Sequence, residues 1–488
     1  MKLRPLRLAL ALGPFLVLVG CTKPQTEPAS QSAPKKKPLE NLSLRLAVVD
    51  DPAIAAAVVR LRGEWNAQTG AELQVSEIAE KDLARADLPP FDAVIAPSYW
   101  LGSLAERGQL APVPDRLLRG AQWAGLFELL KLREAVWGQQ AMAVPFGSPV
   151  YCCWYRADLL EKLGRRPPRT WAEYFDLARK LARLSPPPKR DGAAWAGTIE
   201  PLAPGWAGLT LLARAAPYAK HRDNYSALFD IDTMEPMIAG PPFVQALEDL
   251  VAASKFGPAD PLRFDPASAR AAFWRGQCGM MLGWPTAADP SQEKGIRQER
   301  DSKTASMRVG FVELPGSRQV FNLTGHTWDR RVEGEDTRVP LLAAAGRLGM
   351  VAKRSAHPDA AFQLLFWLTD DRTGPQVCAV SPQTTLFCQA NLKTPSLWVE
   401  KNVPMPAAIQ YADATDAAFR HEQWLGALRL PGRAEYLAAL DEAVAAAIRG
   451  QTTPLQAMMN VDRKWRNITD RLGLDRQRAA YRNSLGLD

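Results

Sequence analysis

The sequence predicts an α/β protein divided into two lobes, and two observations lead to this expectation. The first folded stretch alternates strand-like apolar runs with an amphipathic segment, a pattern typical of parallel strands covered by helices. About 445 residues also follow a polar N-terminal region, and one hydrophobic core does not normally serve so long a chain.

The beginning of the folded chain shows the order of strands and helices most clearly. Residues 44–49 form a continuous apolar run, and the apolar residues after them recur on one helical face up to Gly70. A short second strand is predicted at 73–75. Residues 91–96 predict another buried strand, which ends in a loop at 97–100. This order indicates a parallel sheet.

Several helices are marked by their capping residues. Thr170 followed by Glu173 has the spacing of a capping box and predicts a helix that begins there. Two further amphipathic helices are predicted at 434–449 and 454–470, the second capped by Thr453. The second half of the chain therefore ends in a helical layer.

The first 21 residues carry the features of an export signal. Basic residues precede an apolar run at 8–19, which is too short to cross a bilayer. The run ends before Cys21 in a pattern that resembles the bacterial lipobox. We expect residues 1–20 to be a lipoprotein signal peptide and Cys21 to be lipidated, which places the protein in the cell envelope, facing the periplasm or the exterior. Residues 21–43 are polar and are expected to form a flexible tether.

Charge and histidine positions argue against two classes of function. The formal net charge is +8, but residues 1–43 hold seven Lys/Arg against two Asp/Glu, so the body carries only +3 and predicts no nucleic-acid partner. No later apolar run is long enough to span a membrane, so the lipid is the only expected attachment. No metal or cofactor is expected either, because the four histidines lack ligand spacing; they are His221, His326, His357 and His421.

Five cysteines remain besides Cys21, and an odd number leaves at least one thiol unpaired. Cys378 and Cys388 are separated by a predicted turn at Ser381-Pro382, which favours a disulfide between them. A bridge from Cys152 or Cys153 to Cys278 is an alternative.

Several segments, in order along the chain, resemble the bacterial extracellular solute-binding proteins of the sugar-transport group, the family that includes maltose-binding protein. Each segment is short, but together they extend over nearly all of residues 44–470. The segments that carry the resemblance are 64–70, 91–94, 104–110, 143–146, 154–160, 167–173, 272–280 and 310–316.

The resemblance implies a periplasmic-binding-protein type II fold with a ligand cleft between the lobes. The chain would cross between lobes more than once, so that residues 44–147 and 317–382 form the first lobe and residues 148–316 and 383–488 form the second. It also implies capture of a small solute, a sugar or oligosaccharide in this family, for the permease subunits of an ABC-type importer, without catalysis.

A carbohydrate cleft needs aromatic rings for the C–H faces of the sugar and polar groups for its hydroxyls. Asp50 and Asp51 follow the first strand, where they either contact ligand or cap the next helix. The other candidates lie in loops, at strand ends or beside the predicted crossings. They are Tyr99, Trp100, Phe146, Tyr151, Trp206, Trp284, Gly325, His326 and Trp328.

Two other functions fit parts of the sequence. A ligand sensor with the same binding fold, or a binder of a non-sugar solute, would show the same sequence features. A secreted glycan-active enzyme is disfavoured, because no carboxylate pair stands out and the G-x-S-x-G motif of a nucleophile elbow is absent.

Overall fold

The computed structural model describes residues 37–85, 88–184, 194–288 and 307–487. The predicted signal peptide, the lipidation site Cys21 and most of the predicted tether lie outside the described residues. The end of that tether is folded, contrary to expectation: the Leu39 amide donates to the Thr69 carbonyl (2.9 Å), and Leu39 and Leu42 pack against the core. The folded body therefore begins a few residues before 44.

The strands and helices follow one another in α/β order. The strands are β1 Ser43–Val49, β2 Glu72–Ile78, β3 Ala93–Pro97, β4 Leu110–Ala111, β5 Val136–Trp137, β6 Gln140–Ala141, β7 Val144–Gly147, β8 Cys152–Arg156, β9 Ala196–Ile199, β10 Cys278–Gly283, β11 Val309–Glu313, β12 Gln319–Asn322, β13 Thr327–Arg330, β14 Leu341–Leu342, β15 Arg347–Ala352 and β16 Leu425–Gly426. The helices are α1 Pro52–Thr69, α2 Glu80–Leu83, α3 Trp100–Glu106, α4 Asp115–Leu118, α5 Ala121–Ala124, α6 Ala157–Lys162, α7 Trp171–Ala182, α8 Ala207–Ala219, α9 Pro241–Ser254, α10 Pro266–Trp274, α11 Pro358–Leu368, α12 Gly374–Cys378, α13 Met405–Ala418, α14 Arg433–Ile448, α15 Pro454–Leu472 and α16 Leu474–Ser484.

The first lobe is built on a six-stranded sheet in the order β2-β1-β3-β15-β4, with β7 also paired to β15. Strands β1, β2 and β3 run parallel, as expected, whereas β15 is antiparallel to its neighbours. Leu46 and Val48 face one hydrophobic layer and Ala47 and Val49 the other, so both faces of the sheet are covered. Since β15 follows the second lobe in sequence, the chain returns to the first lobe.

The second lobe is built on a four-stranded sheet in the order β11-β8-β10-β9. Its helical layer consists of α8 and α9 together with the late helices α14 and α15, which pack on one another. Thr170 and Thr453 cap α7 and α15 as predicted, because each side chain accepts a hydrogen bond from the third residue after it. The two-lobe α/β architecture agrees with the sequence analysis.

One segment differs from the expected division. The hairpin formed by β12 and β13 was assigned to the first lobe by a boundary at 317, but it packs against α8 and α9 of the second lobe. Arg331 fixes it there by donating to the carbonyls of Pro217 (2.9 Å) and Lys220 (3.2 Å). The remaining lobe boundaries stay a proposal.

The cysteines do not form the predicted disulfides. Cys152, Cys153, Cys278, Cys378 and Cys388 are all buried free thiols. Burial raises the pKa of each thiol above its ordinary value, which keeps it protonated. Within the described ranges, no helix combines the length and apolarity needed to cross a bilayer.

Candidate functional site

The loops after three parallel strands meet at one edge of the first sheet. Asp50 and Asp51 follow β1, Glu80 follows β2, and Tyr99 and Trp100 follow β3. Because β1 is central and parallel to both neighbours, the carboxyl ends of the three strands lie side by side. This edge is where open α/β sheets place their ligands.

Glu80 organises this group of loops. One of its carboxylate oxygens, Oε1, accepts hydrogen bonds from the Tyr99 hydroxyl (3.0 Å) and from Trp100 Nε1 (2.9 Å). The Glu80 amide in turn donates to Asp50 Oδ2 (2.9 Å). Asp50 itself adopts a left-handed φ of 44° and stays exposed. The two aromatic rings are therefore held in place by a half-buried carboxylate.

Asp51 has the capping role that the sequence left open. Its Oδ1 accepts from the Ile54 amide (3.2 Å) at the start of α1, and its Oδ2 accepts from Arg347 Nε (3.1 Å) and Ser381 Oγ (2.6 Å). The residue is only 3% exposed. Its oxygens are therefore already used by the protein, which favours the capping alternative, and a ligand contact at Asp51 stays a prediction.

The second lobe contributes Trp206 from the turn before α8. The amides of Gly205 and Gly208 on either side of it donate to Asp441 of α14, at 2.6 and 2.7 Å. A Cβ at Gly208 would lie 2.7 Å from Leu440 Cβ, so glycine allows α8 and α14 to approach closely. Burial raises the pKa of Asp441. These contacts fix the backbone that carries the half-exposed Trp206 ring.

Trp206 is supported from below by two buried aromatic residues. Its ring lies 5.7 Å from that of Trp284, which lies 5.5 Å from Tyr151 in an edge-to-face arrangement. Trp284 is only 1% exposed, and its Nε1 donates to the Pro382 carbonyl (2.9 Å). Trp284 and Tyr151 thus sit beneath the place where the lobes meet and position Trp206.

Arg433, the first residue of α14, joins the two groups. Its guanidinium carbon lies 3.7 Å from the centre of the Tyr99 ring, so a second-lobe cation stacks on a first-lobe aromatic residue. Its Nε is buried and has no hydrogen-bond partner among the residues that the structure describes. Burial lowers the pKa of Arg433, an effect opposed by Tyr99, Glu80 and Asp441. A buried, unpartnered donor at this place is available to a ligand.

Four of the predicted site residues lie elsewhere. Phe146 is fully buried in the first lobe, close to Gly349 of β15, and does not reach the junction. Gly325, His326 and Trp328 belong to the hairpin on α8. Trp328 packs against Tyr218, near the C-terminal end of α8, whereas Trp206 precedes its N-terminal end. At 1.5 Å per residue the two tryptophans are about 18 Å apart along the helix.

Sequence patterns did not predict that Glu80, Arg433 and Asp441 belong to the junction. Each is a charged residue in or beside an amphipathic helix, where a solvated position is the ordinary expectation. The turn Pro431-Gly432 directly before Arg433 is the one local signal, since Gly432 takes a left-handed φ of 81° at the start of α14.

The junction combines aromatic rings with both kinds of hydrogen-bonding group. Tyr99, Trp100 and Trp206 supply the rings, Arg433 supplies donors, and the carboxylates supply acceptors. Within the described ranges, no group of three or more His, Cys, Asp or Glu side chains is arranged to hold a metal ion. This mixture suits a neutral molecule rich in hydroxyl groups.

Comparison with known proteins places this geometry in context. The family model for bacterial extracellular solute-binding proteins matches residues 51–374. A solute-binding protein of an ABC transporter from Agrobacterium radiobacter, in complex with ribitol, is similar with 18% identity and a TM-score of 0.63 over 88% of this chain and 100% of that one. The sugar-binding protein MalE from Xanthomonas citri is 17% identical, with a TM-score of 0.64 over 88% of this chain and 98% of that one. Maltose-bound MalE3 of T. maritima is 19% identical, with a TM-score of 0.60 over 88% and 100%. These likenesses show the two-lobe fold, and the family is one of binding proteins rather than enzymes.

Proposed function

Because the chain belongs to the family of bacterial extracellular solute-binding proteins, we propose that it binds a sugar or polyol between its lobes and delivers it to an ABC-type importer. The observation that carries the proposal is the contact of Arg433, from the second lobe, with the Glu80–Tyr99–Trp100 group of the first. A solute held there touches both lobes at once. Such a solute favours the closed arrangement of a hinged protein.

The chemistry of the junction supports a neutral, hydroxylated solute. A hydroxyl group both donates and accepts, so it can bridge the Arg433 guanidinium and a nearby carboxylate such as Glu80 or Asp441. An anion would meet those carboxylates at close range, and a cation would meet Arg433. The half-exposed faces of Trp100 and Trp206 suit the C–H face of a sugar ring.

The similar structures support the same class of ligand. The Agrobacterium radiobacter protein binds ribitol and T. maritima MalE3 binds maltose, which are both neutral and rich in hydroxyl groups. A further similar solute-binding protein, from Agrobacterium vitis, binds D-mannitol, which has the same character. Export and lipid attachment at Cys21 belong to the proposal as well, supported by the charged and apolar pattern of residues 1–21. The permease subunits of the importer would be the protein partners.

A ligand screen followed by substitution tests the proposal. Sugars and polyols, including ribitol, mannitol and maltose, are screened by thermal shift, because a ligand at a hundredfold excess over its Kd adds about 2.7 kcal/mol of stability. Calorimetric titration of each hit then compares the wild type with Trp206→Ala and, as matched control, Trp328→Ala.

Removal of the Trp206 ring is expected to cost about 1 to 4 kcal/mol of binding free energy, as for a buried aromatic anchor. Trp328→Ala is expected to leave the affinity unchanged, because that ring lies on the far end of α8. Equal affinity of Trp206→Ala and wild type for an identified ligand, or a screen in which only charged solutes stabilise the protein, would contradict the proposal.

A further inference from the structure

A cavity lies at the lobe junction, formed by different residues from those around Tyr99. It has a volume of about 160 Å³. Arg133, from the helical turn Leu130–Glu134 of the first lobe, lines it together with residues of the segment after α8 in the second lobe. The segment around β16 and the end of α16 complete it. We call it the basic cavity, after Arg133, Lys220, Arg222 and Arg429, which line it.

The lining carries a marked excess of positive charge. Besides these four cations, one carboxylate, that of the exposed Glu422, lines the cavity, for a net charge of +3. The buried carboxyl of Glu134 lies behind Arg429, and burial raises its pKa to about 7, so its negative charge near neutral pH is incomplete. Buried cations are normally paired with an anion.

Lys220 shows this imbalance most directly. The residue is 8% exposed, yet its ammonium group donates only to the neutral carbonyl oxygens of Asn224 (3.0 Å) and Tyr225 (2.8 Å). Burial, together with the nearby Arg133, lowers the pKa of Lys220 to about 8. An ammonium group that is buried beside a second cation is stabilised by any anion that reaches it.

Arg133 and Arg222, which line the cavity together with Lys220, have guanidinium N–H groups that can donate to a ligand. The Arg133 guanidinium stacks on the Trp424 ring at 5.4 Å and makes no ion pair or side-chain hydrogen bond to any described residue. The side chain of Arg222 also lines the cavity and is exposed; it forms no direct ion pair among the described residues, although the Asp329 carboxylate is near enough to interact with it. Guanidinium groups bind oxyanions through paired N–H donors.

We infer that the basic cavity is a binding site for a small oxyanion of the phosphate or sulfate class, held by Arg133 from one lobe and by Lys220 and Arg222 from the other. The cationic lining favours an anion over a neutral sugar as the occupant. An anion held there contacts both lobes, outside the cleft proposed for the transported solute.

Calorimetric titration of the mature protein with inorganic phosphate and with sulfate, at constant ionic strength, tests this inference. We expect saturable binding of at least one of the two anions. Arg133→Gln and Arg222→Gln should each weaken it at least about tenfold, the loss expected for a charge-assisted hydrogen bond. Arg119→Gln is the matched control, because this exposed first-lobe arginine lies outside the cavity and should bind as the wild type does.

The outcomes separate this site from the sugar cleft. Arg222→Gln removes an exposed side chain, so the variant should fold and keep its affinity for the cleft ligand. Absence of saturable binding of both anions by the wild type would overturn the inference. So would a loss of affinity that is the same in Arg119→Gln as in Arg133→Gln and Arg222→Gln, because it would reflect net charge alone.

Discussion

Arg429 and Arg433 are four residues apart in sequence, and both lie where the lobes meet, but their surroundings differ. The guanidinium of Arg429 is buried and donates to the carbonyls of Glu134 (2.8 Å), Arg133 (3.1 Å) and Ser484 (3.0 Å). The guanidinium of Arg433 stacks on Tyr99 and leaves its Nε without a partner. Arg429 joins its own segment to residues 133–134 and to Ser484, whereas Arg433 has donors available for a ligand.

The same contrast separates the surroundings of the two arginines. Around Arg433, carboxylates and aromatic rings accompany the cation, which suits a hydroxylated neutral solute. Around Arg429 the cations outnumber the carboxylates, which suits an anion. If both proposals hold, one junction carries two chemically distinct sites.

The largest effect is expected at Arg429. Arg429→Met removes three hydrogen bonds to carbonyl oxygens, one buried and two partly buried, and also the buried charge beside Glu134, so we expect the free energy of unfolding to fall by about 3 to 5 kcal/mol. Urea unfolding, followed by circular dichroism, measures this change. A loss below about 1 kcal/mol would show that Arg429 does not join these segments and would remove the contrast with Arg433.

A smaller effect, dependent on pH, is expected at His421. This side chain lies between Glu313 Oε1 (2.5 Å) and Asp336 Oδ2 (2.7 Å), and Arg338 pairs with Glu313 (3.2 Å). Burial alone would lower the pKa of His421, but the two carboxylates outweigh it and raise the pKa to about 9. His421 is therefore a basic residue whose charge is paired, unlike Lys220.

The sign of this effect follows from the raised pKa. The stabilisation is complete below the unfolded pKa of about 6.5 and is lost as the pH rises through about 9. His421→Gln should therefore lower the free energy of unfolding by about 1 to 3 kcal/mol at pH 6 and by less at pH 9.5. Unfolding curves of the wild type and the variant across this pH range give the difference in their free energies of unfolding. Other titrating groups, such as Lys220 with its lowered pKa, are present in both proteins, so their contributions cancel in this difference. A difference that does not change with pH would contradict the assignment.

Local patterns were sufficient for much of the fold. The apolar run before Asp50 and the caps at Thr170 and Thr453 are properties of neighbouring residues, and the structure confirms each of them. The antiparallel strand β15 and the placement of the β12–β13 hairpin depend on contacts between distant segments. No pattern within ten or twenty residues indicates which lobe such a segment joins.

The candidate site shows the same limit. Trp206 and Trp328 both lie beside small or turn-forming residues, so the sequence predicts a ligand contact equally for each. Tertiary packing places them at opposite ends of α8. The sequence around Arg433 is that of an ordinary amphipathic helix. Its contact with Tyr99, which lies more than 300 residues earlier in the chain, is formed only by the tertiary fold. Phe146 adjoins the predicted crossing but faces the core.

The most direct test of the central claim, a solute site between the lobes, is the affinity of Arg433→Gln for the ligand identified by the screen. Loss of one charge-assisted hydrogen bond should weaken binding at least about tenfold, or about 1.4 kcal/mol, in calorimetric titration. The free energy of unfolding without ligand should change by less than about 1 kcal/mol, because the stacking on Tyr99 and the attraction to Glu80 and Asp441 are offset by the burial of the Arg433 charge. Unchanged affinity in Arg433→Gln, with the protein folded, would contradict the account.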